Sequence, residues 1–197
     1  MHRRSSARIG VVLLIVVIAI VLISGIVFLA QSLFGGSGAK PPVQSSESNL
    51  LTEPTDSTKV VMSVRGPVTA RENHYDIDLE ISATQRLLVI TTGYDEAKEV
   101  KRIELANDKG AFTDLLLALN VAGYTSVGDT DIEKNDGLCA TGQLITFSLK
   151  DGDEVKSDTW TTSCAAVTGN FAGQSSAVIN LLLNQIPGSR NAIRAVK

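Results

Sequence analysis

The chain has 197 residues, 44% of them hydrophobic and 20% charged, with a formal net charge of −3 at pH 7. That length holds one domain with appendages rather than several domains. From residue 31 onward 15 basic side chains stand against 21 acidic ones, a balance of −6, which excludes a nucleic-acid partner because such binding rests on Lys and Arg neutralising phosphates.

Residues 1–8 carry Arg3, Arg4 and Arg8 and are followed by Ile9–Ala30, 22 residues without a charge. About 20 apolar helical residues cross the roughly 30 Å hydrocarbon core, so 9–30 is predicted to be a transmembrane helix. A cleaved signal peptide has a shorter apolar region, of about 7–15 residues. Cytoplasmic flanks are rich in Lys and Arg, and the first basic residue after the run is Lys40. The expected topology is therefore a single-pass signal-anchor in the cell membrane, with a cytoplasmic arm at 1–8 and everything after the helix extracytoplasmic.

Residues 31–58 are rich in Gly, Ser, Thr and Pro, a composition that cannot bury enough surface to offset ordering entropy. They are expected to form a flexible linker, with an extracytoplasmic domain at 59–188 and a basic tail at 189–197.

Within the domain, Lys59–Val64 reads as a strand. In Tyr75–Ile81, Ile77, Leu79 and Ile81 alternate with Asp76, Asp78 and Glu80, the period-two pattern of a half-buried strand. Arg86–Thr92 and Val100–Leu105 read as two further strands. A helix follows, with Asp108 as its cap, Phe112, Leu115, Leu116 and Leu119 on one stripe, and Gly123 suited to the left-handed position at its end. The order then recurs: strands at Leu144–Lys150 and Val155–Thr162, then a helix at Ser175–Ile186 stopped by Pro187-Gly188. Two strand–strand–helix units give an α+β fold, an antiparallel sheet with two helices on one face.

Cys139 and Cys164 are the two cysteines. Twenty-four residues separate them, so they are not a C-x-x-C redox pair, and a metal site needs further Cys or His ligands. Outside the cytoplasm such a pair persists as a disulfide. Asp151-Gly152 marks a tight turn between the two strands. A two-residue loop pairs Lys150 with Asp153, and a three-residue loop pairs Leu149 with Val155 and Leu144 with Trp160. In the second case the cysteines fall one residue out of step, which a bulge near Gly142 absorbs.

G-Y-D-E-A-K at 93–98, A-L-N-V-A-G-Y at 118–124, G-L-C-A-T-G at 137–142, W-T-T-S-C at 160–164 and N-Q-I-P-G at 184–188 together resemble small single-pass membrane proteins of reduced-genome, candidate-phylum bacteria. The resemblance covers about residues 60–188. It implies a bacterial origin and the same topology, and supplies no activity, cofactor or site residue.

Four features remain as candidate chemistry. His74 is the extracytoplasmic histidine, and any histidine-dependent hydrolase would have to use it; a surface histidine in a loop is the plainer reading. Asp129, Asp131, Glu133 and Asp136 lie at calcium-like spacing, but the EF-hand positions for glycine and glutamate hold Lys134 and Ala140, which favours a solvated acidic loop. Gly169–Ser176 lacks the lysine of a phosphate-binding loop. Trp160 falls on the hairpin face opposite Phe147, where it would anchor a partner if exposed and join the core if covered.

The expected function is a membrane-anchored extracytoplasmic binding or envelope-structural protein, without catalytic activity or cofactor. Its partners would be the lipid bilayer through 9–30 and an envelope protein or other surface partner. The alternative is a cell-envelope hydrolase around His74. A concave pocket holding His74 and a carboxylate would favour the hydrolase, and a flat apolar patch would favour binding.

Overall fold

The computed structural model describes residues 49–130, 132, 135 and 137–196, which fall within one unit, Gln44–Lys197. The segment predicted to span the membrane, 9–30, lies outside the described residues, as does the arm at 1–8. Among the described residues no helix is long and apolar enough to cross a membrane.

A short helix α1 (Asn49–Thr52) leads into β1 (Thr58–Arg65), a 3-10 turn at Arg71–Asn73, β2 (Tyr75–Ser82), β3 (Gln85–Thr92) and β4 (Lys98–Ala106). Helix α2 (Lys109–Val121), β5 (Leu144–Asp151), β6 (Glu154–Thr162), α3 (Ser175–Asn184) and α4 (Ser189–Arg194) follow. The strands form one antiparallel sheet in the order β4-β3-β2-β1-β5-β6. It is three hairpins side by side: the β1–β2 hairpin sits between β3–β4 and β5–β6, and each outer hairpin is followed in the chain by a helix. The two strand–strand–helix units thus flank a central pair.

Directly paired residues of neighbouring strands point to the same face. Val60, Met62 and Val64 pair with Ile81, Leu79 and Ile77 on one side and with Leu149, Phe147 and Ile145 on the other. Leu88 and Ile90 extend this row. The face is covered by Phe112, Leu115, Leu116 and Leu119 of α2 and by Val178, Leu182 and Leu183 of α3, in one continuous core. The α2 stripe is the one its 3.6-residue period demands. Asp108 caps that helix by accepting from the Ala111 N–H at 2.9 Å, and Gly123 ends it at φ +76°.

Tyr124, just past α2, is fully buried and reaches the sheet backbone between β1 and β5. Its hydroxyl accepts from the Val61 N–H at 3.1 Å and has the carbonyls of Val61 and Ser148 at 2.8 and 3.0 Å to donate to. Burial pushes this phenol well above its ordinary pKa.

Three expectations need correction. The hairpin register is neither of the two anticipated: Asp151 pairs with Glu154 around a Gly152-Asp153 loop, with Gly152 at φ +61°. A bulge between Leu149 and Lys150 then shifts the ladder, so that Leu149 pairs with Ser157, Phe147 with Thr159 and Leu144 with Thr162. The bulge absorbs the extra residue that a register drawn outward from the turn does not foresee. Secondly, 49–58 is not part of a linker: α1 packs on α2, and Leu51 is fully buried in the core. Two leucines in a polar stretch leave its average composition low while filling a gap in the helical layer. Thirdly, 189–196 is not a free tail, since Ser189 is buried and Ala192, Ile193 and Val196 pack against the core.

Candidate functional site

The helices cover one face of the sheet and leave the other open. The open face displays Lys59, Ser63 and Arg65 of β1, Asp76, Asp78 and Glu80 of β2, and Leu144 and Thr146 of β5, as their register with one another requires. Lys59 pairs with Glu80 at 3.4 Å, and the Ser63 hydroxyl donates to Asp78 at 2.6 Å.

Where β1 and β2 meet their connecting segment, a cavity of about 390 Å³ opens beside this face. Gly66, Val68 and the ring of Tyr94 form one wall, and Leu138, Cys139 and Ala140 another. Arg65, His74, Asp76, Gly137 and Leu144 complete it. A second hollow of about 220 Å³, lined by Ser63, Asp78 and Thr146, shares Arg65, Asp76 and Leu144 with the first. The two hollows adjoin at these shared residues, the first more apolar and the second more polar, and are together called the trough.

The rim is built by long-range contacts. Cys139 and Cys164 form a disulfide with Cα atoms 5.5 Å apart, and Gly142 lies against it: a Cβ there would fall 2.7 Å from one sulfur and 3.0 Å from the other. Cys139 itself is left-handed, φ +58°. The Val68 N–H donates to the Ala140 carbonyl at 2.7 Å, tying the disulfide loop to the β1–β2 connection. The Tyr94 hydroxyl donates to the Thr69 carbonyl at 2.8 Å and accepts from its N–H at 2.9 Å.

His74 is not a surface residue: it is 3% exposed. Its ring stacks on Tyr94 with centroids 4.0 Å apart and 13° between planes. Nδ1 lies 3.0 Å from the Pro67 carbonyl; that oxygen can only accept, so Nδ1 carries the proton. Nε2 faces Oδ1 of Asp76 at 3.3 Å, without the alignment of a hydrogen bond, so this buried oxygen has no hydrogen-bond partner. In a Ser-His-Asp site the carboxylate holds one ring nitrogen and the other faces the nucleophile. Here a backbone carbonyl holds Nδ1, and the nitrogen that would face a nucleophile faces the Asp76 carboxylate instead. Among the described residues, the cavity wall contains no serine, threonine or free thiol.

Trp160 is not exposed as a partner anchor. It does lie on the face opposite Phe147, pairing with Thr146, but it is 5% exposed. The segment after the disulfide folds back over it: the Trp160 N–H donates to Asn170 Oδ1 at 2.7 Å, its carbonyl accepts from Phe171 N–H at 3.0 Å, and an added Cβ at Gly169 would fall 2.8 Å from the ring. Of the calcium candidates, Asp129 is exposed, whereas Asp131, Glu133 and Asp136 lie outside the described residues. Among the described residues no three His, Cys, Asp or Glu side chains gather as a metal site would require.

Sequence reasoning singled out His74 and Cys139, which line one cavity, and Cys164, which is bonded to Cys139, and missed Arg65, Asp76, Tyr94 and Leu144. The available signal for Asp76 was its place two residues from His74 at the start of an alternating strand. Compared with known protein families, curated proteins and solved structures, the chain has no match.

Proposed function

We propose that this chain is a membrane-anchored extracytoplasmic binding protein whose ligand seat is the trough beneath the disulfide loop. The observation that carries the reading is the cavity itself: about 390 Å³, lined by Val68, Tyr94, Leu138, Ala140 and Leu144, with Arg65, His74 and Asp76 as its charged or polar side chains. Ligand sites are of this size and lining, mostly apolar with a few polar groups that fix orientation. Nε2 of His74 faces a carboxylate rather than a hydroxyl or thiol, which argues against a nucleophile activated by this histidine. The uncharged run at 9–30 and the arginines before it support anchoring and the outward orientation.

A photoreactive amino acid placed at Val68, on the rim and 67% exposed, tests the seat in intact cells. Val155, 51% exposed at the far end of the hairpin, is the control. One reproducible adduct at Val68 and none at Val155 is expected; equal labelling at both positions overturns the assignment of the seat. A periplasmic or surface reporter fused after Lys197 should be active, and activity solely from a cytoplasmic reporter would reverse the topology.

The meeting of His74 and Asp76 in one cavity favours a second reading, a cell-envelope hydrolase. That reading requires turnover of an ester, amide or glycoside substrate which His74→Gln abolishes while the domain stays folded.

A further inference from the structure

The trough has a chemical polarity that points to a class of ligand. Along β1 it runs from Ser63 to Gly66, roughly 10 Å at the rise of a strand, the length of three extended residues. One end is apolar, formed by Val68, Leu138 and Leu144 beside the disulfide. At the other end Asp76 and Asp78, two positions apart on β2, point to the same face. Arg65 stands directly opposite Asp76, so two carboxylates share the trough with one guanidinium. Asp76 lines both halves; its Oδ1 is buried against His74 at 3.3 Å, and the rest of the partly exposed side chain faces the trough.

We propose that the trough binds an extended polypeptide segment presenting an apolar side chain next to a basic one. This rests on the reading of the trough as the ligand seat. The apolar side chain lies under the disulfide loop against Leu138 and Leu144. The neighbouring lysine or arginine reaches the Asp76–Asp78 pair, adding the positive charge that balances the excess carboxylate. An acidic side chain in that place would meet two like charges, which is costly at an interface.

The test uses the full chain in lipid nanodiscs and the peptides Ac-Ala-Leu-Lys-NH2, Ac-Ala-Leu-Nle-NH2, Ac-Ala-Leu-Glu-NH2 and Ac-Ala-Gly-Lys-NH2, titrated by ligand-observed NMR. The Leu-Lys peptide is expected to bind at least about tenfold tighter than the norleucine, glutamate and Gly-Lys peptides, a difference of about 1.4 kcal/mol. Its affinity should fall as salt rises, since exposed charges are screened. Asp78→Asn should weaken the Leu-Lys peptide several-fold and leave the norleucine peptide unchanged. The wild-type peptide series decides the question even if that variant folds poorly. Equal or tighter binding of the norleucine or glutamate peptide overturns the ligand class while leaving the trough a binding site. Absence of binding by all four overturns the peptide proposal. The Val68 crosslink then separately decides the fate of the seat.

Discussion

Removing the disulfide should cost the domain a large share of its stability without changing its fold. Cys139 and Cys164 are separated by 25 positions, and closing a loop of that length in the unfolded chain is worth about 3.5 kcal/mol by chain entropy, with observed losses mostly at 2–4 kcal/mol. The native state offers little compensation. The β5–β6 ladder already holds Leu144 opposite Thr162, so Cys139→Ser/Cys164→Ser keeps its native neighbours while its unfolded chain gains freedom. For a domain near 150 residues, 1 kcal/mol moves Tm by about 2–4 °C, so a loss of about 3 kcal/mol should lower it by roughly 6–12 °C. Trp160, the one tryptophan, sits on the stapled hairpin and reports unfolding by fluorescence. Circular dichroism should show the same α+β content in both proteins. A double variant melting within 2 °C of wild type refutes the chain-entropy argument. Free thiols in exported wild-type protein would refute the disulfide itself.

Tyr124→Phe removes the hydroxyl that accepts from the Val61 N–H and leaves a buried donor to find another acceptor; a loss of about 1–3 kcal/mol is expected in chemical denaturation. Leu51→Ala opens a cavity under α1 and should cost about 2–5 kcal/mol, whereas an unchanged midpoint would place 49–58 outside the cooperative domain. Asp151 accepts from the hydroxyls of Ser57 and Thr55, both at 2.5 Å, and these bonds hold its carboxyl below the ordinary aspartate value of 3.8. A folded-state value lowered in this way contributes stability above the unfolded value and loses it as pH falls through the folded one. The stability gap between wild type and Asp151→Asn should therefore be constant above about pH 5 and close progressively below pH 4; a gap that widens on acidification would contradict it.

Elements written by local pattern were legible in the sequence, and those written by topology were not. The alternation of Ile77, Leu79 and Ile81 with aspartate and glutamate announced β2, and the stripe from Phe112 to Leu119 announced α2, because each is a property of consecutive residues. Period two also set Trp160 on the face opposite Phe147. What covers Trp160 was beyond reach, because Gly169 and Asn170 return to it through a turn with no apolar period. Leu51 was hidden for a related reason: α1 docks through two adjacent leucines, Leu51 in the core and Leu50 packed against it, and two neighbours make no period.

The candidate site depended wholly on topology. Its parts come from 63–68, 74–78, Tyr94 and 137–146, and the feature that unites them is the insertion of β1 between β2 and β5. Strands β1 and β5 are not consecutive, and the chain between them passes through three further strands and a helix, so no local signal pairs Arg65 with Leu144 or brings Ala140 to Val68. His74 illustrates the consequence. Read in A-R-E-N-H-Y-D, with charged and polar neighbours, it belongs at the surface; Tyr94, twenty residues later, arrives at the end of β3 and stacks on it, and the Pro67 carbonyl closes the other side. The histidine's burial is thus a product of where β3 ends. The same dependence makes the trough sensitive to the register of the central strands: a one-residue slip of β5 would exchange its faces, withdrawing Leu144 from the trough and placing Phe147 on the open side. The trough and the hydrophobic core are therefore specified by the same ladder.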